Sequence, residues 1–225
     1  MSRSFTYSAL ALRVKPSGES NREAWFLTSE EGLIRATVFG GPKSRLRSQV
    51  APFHEGRLWI YHDPVRDSRK VSDFDVQLWR PGIRELYERT MTADALAETV
   101  IASHGGGGNW PEAAKLAGNV LNALDSADAA ACSRLIVYFF WHWAGILGVR
   151  PELSASVSWD KSISFRPDLG VIGWLNEIES LPASELADAR DEISLDAKSL
   201  EQAMALSQAV LANVLGRKLP TWDGI

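Results

Sequence analysis

Cysteine is nearly missing from this chain. Cys132 is the only one in 225 residues, which excludes an intrachain disulfide and a cysteine-rich zinc site. It stands in an apolar helical pattern, where a small core residue is expected rather than a reactive thiol. No apolar run approaches the ~20 residues that cross a bilayer, and the opening stretch MSRSFTYSALALRVKPSGE lacks the apolar core of a secretion signal. A reducing cytoplasm, away from membranes, is the expected setting. Histidine is scarce as well, at four. His142, between Trp141 and Trp143, has no second ligand type at metal spacing and reads as a hydrogen-bonded core or rim residue. No repeat of solenoid or propeller period is present.

Phosphate-loop signatures are also lacking. Gly41-Pro42-Lys43-Ser44 is not a Walker motif, and Gly105 to Gly108 has neither a preceding strand nor a following Gly-Lys-Ser/Thr. The glycine run therefore reads as a flexible link between helices.

The length permits one large domain or two modest ones. A net charge of -4 hides an asymmetry: residues 1–80 carry 13 Lys+Arg against 9 Asp+Glu, and residues 81–225 carry 11 against 19. A basic front and an acidic back suggest a division of labour.

The front reads as β. Leu10, Leu12 and Val14 alternate with Ala11 and Arg13, a turn at Pro16 to Ser20 leads to EAWFLT at 23–28, and Glu30-Glu31-Gly32 turns into Leu33 to Phe39. There Ile34, Ala36 and Val38 share one face, with Arg35, Thr37 and Phe39 on the other. Two further runs follow, Arg57 to His62 and Val71 to Trp79. Five short strands in about seventy residues suit a small barrel, of which the oligonucleotide-binding fold is the commonest five-stranded example.

Between the third and fourth strands lies VFGGPKSRLRSQVAPF. Lys43, Arg45 and Arg47 follow a Gly-Gly-Pro turn, which argues for an exposed basic loop. Such a loop can contact a phosphate backbone or simply be solvated. With Leu58 and Ile60 inward, Arg57, Trp59 and Tyr61 point outward. Those rings can stack bases or cover the barrel's outer face, since amphipathic aromatics serve either purpose.

After Pro81-Gly82 the period becomes helical. Helices are expected over Ile83 to Ser103, from Trp110 to about Ala127, and over Asp128 to Gly148, whose circumference is almost wholly apolar and which should lie at the centre of the back domain. Residues 156–167 alternate like a hairpin, Val171 to Ser180 reads as helix, and Pro182 to Asp196 is a solvated acidic stretch. A last helix, capped by Ser194 or Asp196, ends at Gly216, followed by Arg217-Lys218.

Taken in order, these features resemble the RecO family of recombination mediator and DNA repair proteins. The likeness is carried by ALRVKPSGESNREAWFLTSEEGLIRATVFGGPKSRLRSQVAPFHEGRLWIY, by RPGIRE at 80–85, by ILGVRPEL at 146–153 and by LGRKLPTW at 215–222. The resemblance implies an α+β chain: a five-stranded oligonucleotide-binding barrel at 1–80, then a helical domain at 81–225 with a small hairpin near 156–167. It implies binding of single- and double-stranded DNA, annealing of complementary strands, and no catalysis of bond chemistry. Implied partners are RecR, the C-terminal tail of single-stranded DNA-binding protein and, through them, RecA. The DNA-contacting role carries onto Lys43, Arg45 and Arg47, and onto Arg13, Lys15 and Arg35. Trp141, Trp143 and Arg150 are the place to look for the tail's docking point. Many relatives bear a four-cysteine zinc site after the central helix, whereas SASVSWDKSISFRPDLGVIGW has Ser, Val and Trp there. No zinc or other cofactor is therefore expected.

Two other functions fit the same residues. One is a protein-interaction adaptor that uses the barrel without touching DNA. The other is a nuclease, against which no Asp/Glu/His set stands at coherent spacing and Asp73 with Asp75 reads as solvated.

Overall fold

In the computed structural model the described residues are 3–40, 44–153, 168–188 and 195–225. The hairpin expected at 156–167, Lys43 and Ser194 lie outside them.

Five strands form a closed barrel: β1 (Ser4–Ser17), β2 (Asn21–Thr28), β3 (Gly32–Val38), β4 (Glu55–Asp63) and β5 (Ser68–Leu78), in the order β1-β2-β3-β5-β4. All pairings are antiparallel except β3 with β5, which meet in parallel at the single bridge Thr37 to Lys70. This is the expected oligonucleotide-binding architecture, with its seam at the β3–β5 edge. Alternation works as the pattern demands in β2, β3 and β4, where Ala24 and Phe26, Ile34, Ala36 and Val38, and Leu58 and Ile60 fill the interior; in β5 a register shift lets Val71 and Phe74, three residues apart, both reach it.

Two features depart from the sequence reading. In β1, Ala9 and Ala11 join the interior cluster, while Leu10 and Leu12 are buried without belonging to it. A register shift between Ala11 and Arg13 re-aims the strand there. The second departure is the basic segment, which is not an open loop. Residues Arg45–Gln49 form a short helix, α1, whose Leu46 packs on the interior cluster and whose following residue Val50 belongs to it. Spacing of four turns both side chains into the barrel, so Arg45 and Arg47 are left outside.

The helical elements are α2 (Tyr87–Ala102), α3 (Trp110–Leu124), α4 (Ala129–Ile146), α5 (Leu169–Ile178), α6 (Ala183–Asp188) and α7 (Ala197–Leu215). Contacts divide the chain into two compact units, residues 1–80 with 100–118 and residues 81–99 with 119–225. In the first, the start of the glycine segment between α2 and α3 packs on the barrel, while Gly107 and Gly108 stand open. Gly105, at φ 77°, would bring an added Cβ to 3.0 Å from the Leu33 nitrogen, and a Cβ on Gly32 would strike the Trp110 ring at 2.6 Å.

In the second unit α4 is the central helix, as its apolar circumference implies. Phe139 stacks on Trp143 at 5.3 Å and Phe140 tilts against Trp222 at 5.1 Å, while α5, α6 and α7 all pack on α4. Trp222 in turn donates its indole N–H to the Thr99 hydroxyl at 3.0 Å. Asp128 caps α4 through the Ala131 N–H, and Asp196 caps α7 through the N–H groups of Lys198 and Ser199. Cys132 is buried in α4, and burial pushes its thiol up to about 11. His142 is held by the Ile178 carbonyl at 3.2 Å and lies 4.2 Å from the Tyr138 ring. Among the described residues no helix is long and apolar enough to cross a membrane.

Candidate nucleic-acid interface

Barrel register decides which of the outward residues meet. Trp25 on β2 pairs with Arg13 on β1 and with Arg35 on β3, so the indole lies between cations. Lys15 and Arg35 each stand 5.8 Å from its centroid. Across the seam Lys70 lies 5.3 Å from the exposed Phe39 ring, and it pairs with Thr37 on β3 and Tyr61 on β4. Alternating rings and cations thus run over the outer surface from β1 to β4. Each contact at an exposed site is worth ~0.5–1 kcal/mol, enough to order a side chain but not to withhold a ring from a base.

Below the single β3–β5 bridge a groove opens, lined by Glu23, Leu33, Arg35, Thr37, Asp67 and Arg69. Its arginines are not open cations. Arg35 is ion-paired with Glu23 at 2.6 Å, and Arg69 with Glu31. The other oxygen of Glu31 accepts the Tyr7 hydroxyl. That hydrogen bond adds to burial in pushing the Tyr7 phenol up to about 12.

α1 itself carries two cations and no carboxylate. Arg45 and Arg47 are exposed, and among the described residues no ion pair to a carboxylate holds either. Arg22 reaches the same rim and donates to the Leu46 carbonyl at 3.2 Å. Burial, with the neighbouring Arg47 charge second, holds its guanidinium below the usual arginine range. Because α1 is helical, Arg45 and Arg47 diverge by about 200° instead of sharing a face as an extended loop would have them.

The remaining expected residues separate. Arg57 is exposed, and Trp59 and Tyr61 are half-buried on β4, beside Asp75, Asp73 and Lys70 of β5 respectively. Arg3 donates to the Tyr61 hydroxyl at 3.2 Å, which raises the Arg3 guanidinium. Lys15 is exposed and Arg13 half-buried. Sequence reasoning missed Arg22, Trp25, Arg69 and Lys70. Trp25 stood in plain alternation with the inward Ala24 and Phe26, whereas the other three need the strand register.

One expected site is corrected. Trp141 and Trp143 are fully buried, so neither can offer a surface to a protein tail. Trp141 instead donates to Glu179 at 3.0 Å, and Arg150, half-buried, bridges to the same carboxylate at 3.2 Å with its guanidinium 6.0 Å from the Trp141 ring. The basic end of the chain is also occupied, Lys218 being paired with Asp223 at 2.7 Å. The sole cysteine is buried in α4, and among the described residues no group of three His, Cys, Asp or Glu is placed to hold a metal.

Comparison with known proteins places a family match on the same region. Residues 1–76 match the family model of the recombination protein O N terminal. A curated relative, the DNA repair protein RecO of Acaryochloris marina (strain MBIC 11017), is 26% identical over 157 residues, which are 69% of this chain and 53% of the relative. The chain spans about half the length of the curated relative it matches. The barrel that displays the cation and ring surface is the stretch that the family model covers, so the similarity to that family lies in the front domain.

Proposed function

We propose that this protein is a DNA-binding recombination mediator of DNA repair, working without bond chemistry. The supporting observation is the outer barrel surface, where α1 carries Arg45 and Arg47 with Arg22 beside it, and Trp25 and Phe39 lie beside cations. Phosphates seek the arginines while unstacked bases find the rings, a combination that suits a single strand. Duplex DNA meets only the charges. In this reading residues 1–80 are the DNA-binding domain, with Lys43, Arg13 and Arg57 adding to the positive rim and Trp59 and Tyr61 to the rings. Residues 81–225 recruit partners.

Annealing follows from electrostatics, since a cationic surface offsets the repulsion between two strands. The partners are RecR and the C-terminal tail of single-stranded DNA-binding protein, with RecA loaded as the consequence, in a cytoplasmic, nucleoid-associated setting. With both Trp141 and Trp143 interior, the tail's contact in this reading falls to Arg150 and its neighbours at the surface.

The decisive experiment is annealing of complementary oligonucleotides coated with single-stranded DNA-binding protein. Acceleration by the pure protein, lost on raising salt, is the expected result. A folded protein that neither binds nor anneals DNA would leave the adaptor function in its place.

A further inference from the structure

The barrel's cations fall into two classes that differ in what already holds them. Around α1, Arg45 and Arg47 have no carboxylate pair among the described residues. In the groove both arginines are taken: Arg35 by Glu23 and Arg69 by Glu31. Asp67 lines the groove as well, so its charge as it stands is not positive. A polyanion approaching the groove therefore meets two guanidiniums whose best hydrogen-bonding positions are filled by their own chain.

The pairs are placed to open. Arg35 is well exposed, with 65% of its side chain accessible against 25% for Glu23, and Arg69 and Glu31 are accessible at 28% and 39%. Exposed pairs of this kind are weak, because water competes for both partners. The two non-bridging oxygens of a backbone phosphate can accept the N–H groups that a carboxylate takes, so exchange need lose no hydrogen bonds. Each acid also has an alternative setting: Glu23 is partly open to water, and Glu31 keeps the Tyr7 hydroxyl.

We propose that Glu23 and Glu31 are built-in counter-ions, which occupy Arg35 and Arg69 in the unbound barrel and yield them to backbone phosphates when a strand enters the groove. This rests on the DNA-binding function proposed above. The α1 rim is then the permanent anchor. The groove is a second, conditional segment, weaker because each of its phosphate contacts replaces an existing pair.

The test is fluorescence anisotropy of a labelled oligo(dT) strand, titrated across salt with the full chain and with E23Q, E31Q and the double variant. E19Q, at an exposed turn residue, makes the same charge change outside both pairs. Each pair variant should bind about two- to fivefold more tightly, the factor by which an exposed ion pair shifts an equilibrium. The slope of log affinity against log salt should steepen by up to about 0.7 for each arginine released. In an R35A background the gain from E23Q should vanish, because the two residues act on one contact. Gains no larger than that of E19Q, or a gain that persists with R35A, would overturn the proposal while leaving DNA binding intact. Absence of DNA binding by a wild-type protein with a cooperative melt would instead remove the function on which it rests. Since Glu31 also serves Tyr7, E23Q is the primary variant, and thermal unfolding of each variant separates lost folding from altered binding.

Discussion

Replacing Arg45 and Arg47 together by Ala isolates the rim of α1. Both side chains are exposed and neither is ion-paired among the described residues, so little of the fold depends on them. Alanine is the better helix former, and loss of Arg47 relieves its repulsion of Arg22. The melting temperature should thus hardly move, with stability within ~0.5 kcal/mol of wild type. DNA affinity should fall. Each neutralised phosphate of a single strand contributes about 0.7 to the salt slope, which at ~0.15 M salt is about fourfold in affinity. Two lost contacts predict a loss of about fifteenfold there, a larger loss at lower salt, and a slope shallower by about 1.4. Anisotropy titrations of a labelled oligo(dT) strand at several salt concentrations measure both quantities. Coincident curves for variant and wild type would refute the assignment of these arginines. A parallel offset without a change of slope would show that their contribution is not phosphate neutralisation.

Trp25→Ala should cost ~1–3 kcal/mol of single-strand affinity, with Trp25→Phe keeping much of it and duplex affinity little changed; equal losses for the two substrates would contradict base stacking. Arg80, with 1% of its side chain exposed, donates to the Phe53 carbonyl at 2.8 Å and pairs with the partly exposed Glu55, so Arg80→Ala, which orphans that carbonyl, should destabilise the first unit by ~1–3 kcal/mol in chemical denaturation. Trp141→Ala should lower stability by ~3–5 kcal/mol as a large-to-small core change. By contrast, Arg150→Ala should leave a foldable protein whose affinity for the acidic, apolar tail of single-stranded DNA-binding protein is reduced in calorimetry. Cys132 should resist thiol reagents at pH 8 until denaturant is added, a difference read by absorbance with a chromogenic disulfide. Because burial raises this thiol to about 11 from an ordinary 9.0, the folded form keeps a proton that the unfolded form releases in that interval. Its share of stability is therefore full below pH 9 and falls as pH rises towards 11, and Cys132→Ala should flatten that decline in pH-dependent melts.

The five strands were legible because each carries its own alternation and is bounded by Gly, Pro or Asx punctuation, as between Val14 and Glu23 or Thr28 and Leu33. β1 was legible only in part. Its Leu10 and Leu12 break the half-buried rule, since both faces of that strand are covered, which alternation alone does not reveal. α1 offered only Leu46 and Val50 at helical spacing, too short a pattern to stand out behind a Gly-Gly-Pro turn. Trp141 and Trp143 show the opposite failure: the apolar circumference of α4 already implied an interior helix, so their distance from solvent could have been read from it. The carboxylate pairs of the groove were out of reach. Glu23 and Arg35 belong to different strands, and only the register that sets Trp25 opposite Arg35 and Glu23 opposite Thr37 brings them together.

On the proposed reading, the unequal cations bear on how a bound strand is let go. A barrel with every arginine open would gain about fourfold for each phosphate it neutralised, and five such contacts would multiply to about a thousandfold. A strand so held leaves slowly, because affinity differences among related complexes appear mainly in the rate of dissociation. If Arg35 and Arg69 return to Glu23 and Glu31 as each phosphate departs, as proposed above, the leaving strand exchanges one partner for another instead of stripping two bare charges. Release can then proceed contact by contact along the groove, with Arg45 and Arg47 as the last hold. Removal of the two carboxylates should for that reason slow dissociation more than it speeds association, a split that stopped-flow chase of a labelled strand resolves. An effect confined to association would assign Glu23 and Glu31 to long-range repulsion and not to exchange at the arginines.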